Sequence, residues 1–219
     1  MTASLLVLQV YPAESRYVTS VGLESCLNEV TIQSNEKPLQ WLLDWMSTGS
    51  TESLHNHIVV EVLQLGHLYD IQPLVDICGK RMQGLLGRWP ELACEYWEVS
   101  KLFFHDKIQD QTSDCEASLE QQCVQVLEEN FEDISCCVHF LSLNFEQLMY
   151  LLQTDSLQCE TECSVLLAVS QWVAHDRDAR NKHIDKLVPL IRFVYMRQKE
   201  LIEAEEDPNL NINPVVRGS

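Results

Sequence analysis

Hydrophobic positions recur at helical spacing along most of the chain, and the pattern is clearest over residues 141–180. Asn144 stands three residues before Gln147, the spacing of a capping box that opens a helix. Leu148, Met149, Leu151 and Leu152 give that helix one apolar face. Thr154-Asp155-Ser156 breaks it. A second helix then carries Cys163, Leu166, Leu167, Ser170, Val173 and Ala174 at offsets 0, 3, 4, 7, 10 and 11, one stripe of the helical period, with Trp172 at its edge. The charged run His175-Asp176-Arg177-Asp178 stops it. Two apolar-faced helices in tandem need neighbours to bury against, so this stretch predicts the middle of a helical stack.

The same reading extends in both directions. Leu5 to Val10 is apolar enough for a strand that Pro12 ends, and Glu29-Val30-Thr31-Ile32 reads as a second short strand. A helix begins at Pro38, carries Trp41, Leu42 and Trp45, and stops at Gly49. Another runs from His55 through Val59, Val62, Leu63 and Leu65 to Leu68, and a third from Gln72 with Leu74, Val75, Cys78 and Met82. Gly84, Gly87 and Pro90 punctuate a joint, which sets the domain boundary between residues 88 and 89. Helices follow over 92–105, 118–130 and 134–143, with a polar loop at 106–115. After Arg180 a helix over Ile184, Leu187, Leu190 and Ile191 is split by Pro189, and a last one runs from Met196 to Ile202. Residues 203–219 are acidic, then rich in Asn and Pro, and read as a disordered tail. The fold class is mainly α: a first part of few short strands plus helices at 1–88, then a helical stack at 89–202.

Composition narrows the partners. The chain is 46% hydrophobic and carries a formal net charge of -18. That surface repels nucleic acid and anionic membranes, and no run is long enough to span a bilayer. The first residues lack a basic region ahead of their apolar run, so they read as a buried strand rather than a signal peptide. Nine cysteines, an odd number, sit mostly on apolar helix faces. They read as reduced core residues of a cytoplasmic or nuclear protein.

Catalytic chemistry finds no footing. Glycine-rich phosphate loops, G-x-S-x-G and H-E-x-x-H are all absent. The sharpest metal candidate is Cys136, Cys137 and His139 with Cys159 and Cys163, but the CxxC knuckles of structural zinc sites are missing. Neither a catalytic residue, a metal nor a cofactor is expected. His175-Asp176 with Arg180 reads as a helix-end cap or ion pair.

The stretch also resembles a known module. Asn130-Phe131, Phe140-Leu141-Ser142-Leu143, the turn at Asp155-Ser156-Leu157, Glu162, Val165, Ala168, Trp172-Val173, His175-Asp176, Arg180 and Leu190-Ile191-Arg192 follow in the order found in the BACK domain. This is the helical module after the BTB/POZ domain in BTB–kelch and related proteins. Upstream, Glu24-Ser25, Glu29-Val30-Thr31-Ile32 and Leu42 to Gly49 look like the second half of a BTB fold, and Leu63 to Cys78 is similar to its following helix pair. The first-half signature is absent, so the BTB half is truncated or strongly divergent. No internal repeat of propeller period is legible.

The resemblance implies a protein-interaction role. Such proteins are commonly substrate adaptors of cullin-based RING ubiquitin ligases that use the third cullin. It implies a cullin-contact surface at Leu23 and Glu24, Tyr69, and the helix over 92–105 with Trp97 and Leu102. Gly22 falls where the family places a hydrophobic side chain. The competing expectation is a scaffold outside the ligase system, or a short form competing with a full-length relative. Homodimerisation should be weak or absent, with Leu42 and Trp45 left partly uncovered.

Overall fold

The computed structural model describes residues 4–9, 29–104 and 118–205, with side chains over 35–104 and 118–202. The chain divides into two compact units, Met1–Leu85 and Leu86–Ser219.

In the first unit, strands β1 (Ser4–Gln9) and β2 (Glu29–Ser34) pair antiparallel, with Leu6 opposite Ile32 and Leu8 opposite Val30. Helix α1 (Glu36–Thr48) ends where Gly49 turns left-handed at φ 70° and its N–H donates to the Trp45 carbonyl at 2.7 Å. Glycine takes that conformation without a Cβ penalty, so the expected stop is real. Leu42 is buried in α1 and Trp45 is half-buried, stacked on Trp41 with centroids 6.4 Å apart. The expectation that Leu42 lies uncovered is thereby corrected.

Helix α2 (Val59–Leu68) crosses α3 (Gln72–Leu86) closely at Gly66. A Cβ there would meet Leu74 Cγ at 3.2 Å and Val75 Cγ2 at 3.3 Å. Val59, Val62, Leu63, Leu74, Cys78 and Met82 form the interior. The α2 pattern starts later than expected: residues 55–58 form turns, with the Ile58 N–H on the His55 carbonyl at 3.2 Å.

The second unit is the helical stack. A 3-10 turn at Pro90–Leu92 leads into α4 (Ala93–Phe103), which packs along α5 (Leu119–Glu129). Ser118 and Gln121 form a capping box ahead of α5. The expected single helix over 134–143 is instead α6 (Phe131–Ser135) followed by a 3-10 turn at Val138–Ser142. Phe131 meets Phe140 edge to face across that break, with centroids 5.8 Å apart. Helix α7 (Phe145–Gln153) opens on the expected capping box: Asn144 Oδ1 accepts from the Gln147 N–H and Gln147 Oε1 accepts from the Asn144 N–H, both at 2.9 Å.

Helix α8 (Glu162–His175) buries Val165, Leu166, Ala168, Val169, Ser170, Trp172 and Val173. Leu167 and Ala174, expected on the stripe, face out, so the buried face is turned by roughly one residue, about 100°. The helix is apolar almost all round, and Trp172 and Val169 decide which side goes inward. Short helices α9 (Arg177–Arg180) and α10 (Ile184–Leu187) follow. Pro189 ends α10 and a 3-10 turn covers Val188–Leu190, the expected split. A further 3-10 turn at Phe193–Tyr195 precedes α11 (Gln198–Glu205), which runs into the stretch expected to be disordered. The remainder of that tail and the loop at 106–115 lie outside the described residues.

Candidate partner-binding surface

Tyr69 sits at the C-cap of α2. The helix closes in a Schellman turn: the Ile71 N–H donates to the Gly66 carbonyl at 2.7 Å and the Asp70 N–H to the His67 carbonyl at 3.2 Å. Asp70 occupies the left-handed position with φ 53°. Glycine usually fills it; aspartate tolerates it better than most residues. This turn fixes the backbone on which Tyr69 is carried half-exposed. Leu68 beside it is 68% exposed, although the apolar run suggested a core position. The helical period explains the miss: nine residues after buried Val59, Leu68 falls roughly 180° round the helix.

In the second unit, α4 separates two residues that were expected to act together. Leu102 is 64% exposed, whereas Trp97 is only 2% exposed. Trp97 packs edge-on against Tyr150 with centroids 5.8 Å apart, and Lys101 lies over its ring at 4.8 Å. Trp97 is therefore an interior residue and offers no open face to a partner, a correction to its expected role. Near its C-terminal end α4 presents Leu102 with the Lys101 ammonium outward, and earlier along the helix Glu95 and Glu98 are exposed. Glu98, one turn earlier, accepts from Asn144 Nδ2 at 3.1 Å and Gln147 Nε2 at 3.3 Å, tying α4 to the start of α7. Gln147 is buried with its polar atoms used in this way. Leu23, Glu24 and Gly22 lie outside the described residues.

A polar knot holds the stack behind α4. Trp172 is 1% exposed and its Nε1–H donates to the Leu143 carbonyl at 2.8 Å. The Arg180 guanidinium lies 4.1 Å from the Trp172 ring centroid. Its Nη1 donates to the Trp172 carbonyl at 2.8 Å and its Nη2 to the Leu141 carbonyl at 2.7 Å. One arginine thus satisfies the end of α8 and the 3-10 turn before α7, and its planar fork suits that task. Asp176 acts as the α9 cap, accepting from the Ala179 N–H at 3.2 Å.

Among the described residues, no group of three or more His, Cys, Asp or Glu is placed to hold a metal ion. Cys136, Cys137, His139, Cys159 and Cys163 do not converge. Burial pushes the Cys78 and Cys94 thiols up to about 12, the latter helped by neighbouring Cys137, and raises Cys123 further. These thiols are core residues with little thiolate at neutral pH. Among the described residues no helix is long and apolar enough to cross a membrane.

The family profile described as BACK, "BTB And C-terminal Kelch", matches residues 111–206. Residues 111–206 are thus similar to the BACK module. The Trp172–Arg180 knot, α7 and α8 all lie inside the matched BACK stretch. Over 100 residues, 45% of this chain, the sequence is 30% identical to Kelch-like protein 3 of Danio rerio, covering 17% of that protein. It is 31% identical over 83 residues to human Kelch-like protein 2, which is 38% of this chain and 14% of that one. Human Kelch-like protein 17 is 32% identical over 74 residues, 34% of this chain and 12% of its own length. The matched stretch thus spans less than a fifth of each relative. The fold is mainly helical, with a stack similar to the BACK module over 111–206.

Proposed function

We propose that this chain is a non-enzymatic interaction module that engages the third cullin as a divergent adaptor of a RING ubiquitin ligase. The BACK match over 111–206, with likeness to kelch-like proteins, carries the reading. Contacts are proposed on each unit by itself: in the first, the neighbourhood of Leu23 and Glu24 and the α2 turn with Leu68 and Tyr69; in the second, α4 at Leu102. Exposed Leu68 beside Tyr69, and exposed Leu102, supply the apolar anchors that interface hot spots use. Gly22 offers no side chain for a hydrophobic pocket, so affinity is below that of an adaptor with the full motif. A second reading rests on the same Gly22: a scaffold outside the ligase system that binds no cullin. Homodimerisation through the BTB-like half is weak or absent in either reading, and both act in the cytoplasm or nucleus.

A pull-down with a cullin N-terminal domain tests the proposal. Wild type should retain the cullin, and Tyr69→Ala and Leu102→Asp should each lose it while melting like wild type. No retention by wild type favours the scaffold, whereas retention by both variants overturns Tyr69 and Leu102 as the contact residues.

A further inference from the structure

Arg177 to Lys199 departs from the charge of the rest of the chain. Residues 177–199 hold seven Lys or Arg against two Asp, in a protein of net charge -18. Arg177, Lys182, Lys186, Arg192, Arg197 and Lys199 are exposed. Within this stretch the 3-10 turn at Phe193–Tyr195 turns two consecutive large side chains outward: Val194 is 83% and Tyr195 76% exposed. The same turn keeps Met196 buried, so it is anchored to the unit while its tip is bare. Arg192 and Arg197 bracket that tip. Their existing partners hold them loosely. Arg192 meets Asp155 at 3.1 Å, with Asp155 fully in solvent, and Arg197 meets Glu200 at 3.6 Å with most of its side chain exposed. The first pair is exposed, and the second is long with its arginine in solvent, so each contributes little and an incoming carboxylate can take either arginine.

We infer that the Arg192–Arg197 turn is a docking surface for an acidic peptide segment bearing an apolar side chain. Valine and tyrosine receive the apolar residue, and the two arginines receive flanking carboxylates, Arg being the better cation for a planar two-pronged contact. The surrounding basic stretch steers an acidic segment in, whereas the acidic remainder of the surface turns it away. This surface is separate from the cullin-binding proposal and stands or falls without it.

The test is fluorescence anisotropy of a labelled peptide of Glu and Asp around a central Leu-Leu pair, titrated with the full chain. The expected result is saturable binding that weakens at least tenfold from low to high salt. Val194→Ser with Tyr195→Ser should weaken it at least tenfold at either salt. Arg192→Glu with Arg197→Glu should remove it, with melting unchanged in both double variants. Equal binding of a Lys-rich peptide around the same Leu-Leu pair overturns the proposal. So does peptide binding that ignores both double variants, absence of binding, or light scattering that shows the turn occupied by a second copy of the chain.

Discussion

Arg180 and Trp172 show how single residues secure the helical stack. Trp172 fills the interior and also uses its one polar atom on the Leu143 carbonyl. Trp172→Ala removes both and should cost about 3–5 kcal/mol, read as a lower midpoint in urea; a midpoint within error of wild type contradicts the assignment. Arg180→Met keeps the stem but strands two carbonyls, so it should destabilise as well, and a double-mutant cycle with Trp172 should show strong coupling. Asp70 at φ 53° lies in the left-handed region, so Asp70→Gly should leave the fold intact and raise its melting temperature modestly. His183 stacks on Phe145 with centroids 4.0 Å apart. Desolvation, then Lys182 and Lys186, depress its pKa below the ordinary 6.5, with Glu146 opposing. Its folded pKa is the lower one, so its contribution is full above 6.5 and is lost as pH falls through the folded value. His183→Phe should flatten stability against pH in that acidic window, measured by denaturation at several pH values. At the same scale, Cys78, Cys94 and Cys123 should resist alkylation in the native reduced protein while exposed Cys136 reacts, as peptide mass spectrometry reads out.

Helices were legible wherever chemistry marks their ends. Asn144 and Gln147 announced α7, Gly49 announced the end of α1, and Pro189 announced the split after α10. Faces were less legible. In α8 apolar residues surround the axis, so periodicity alone chose a stripe about 100° from the one that Trp172 and Val169 occupy. In α2 the run of apolar residues hid the fact that Leu68 points away from Val59. The break between α6 and the following 3-10 turn was also hidden: Phe131 and Phe140, nine residues apart, would lie on opposite sides of one continuous helix, and only their edge-to-face contact shows that the chain turns between them. Close helix contact left a clearer trace: Gly66 sits in an otherwise bulky run. Gly66→Ala pushes a methyl group against Leu74 and Val75, both buried, so α2 and α3 must separate slightly. The expected outcome is a loss of about 1–3 kcal/mol, read by chemical denaturation; an unchanged midpoint means that α3 yields freely there.

Across the whole molecule, the order of short signals from Asn130 to Arg192 was enough to indicate a likeness to the BACK module, and the family profile matches residues 111–206. The interaction surface was less legible. Trp97 was expected at a contact because its helix resembles the segment that extends the family's cullin interface; only its burial against Tyr150 shows it to be a core residue. Leu68 went unnoticed because its apolar run suggested a core position. The proposed docking of a cullin scaffold on the α2 turn that carries Tyr69 is expected to be weak, because Gly22 leaves a pocket unfilled. Calorimetric titration of the cullin N-terminal domain into wild type, Gly22→Met and Tyr69→Ala tests it most directly. The expected result is measurable binding to wild type, tighter binding to Gly22→Met, and none to a folded Tyr69→Ala. A flat response from wild type and Gly22→Met alike would contradict it.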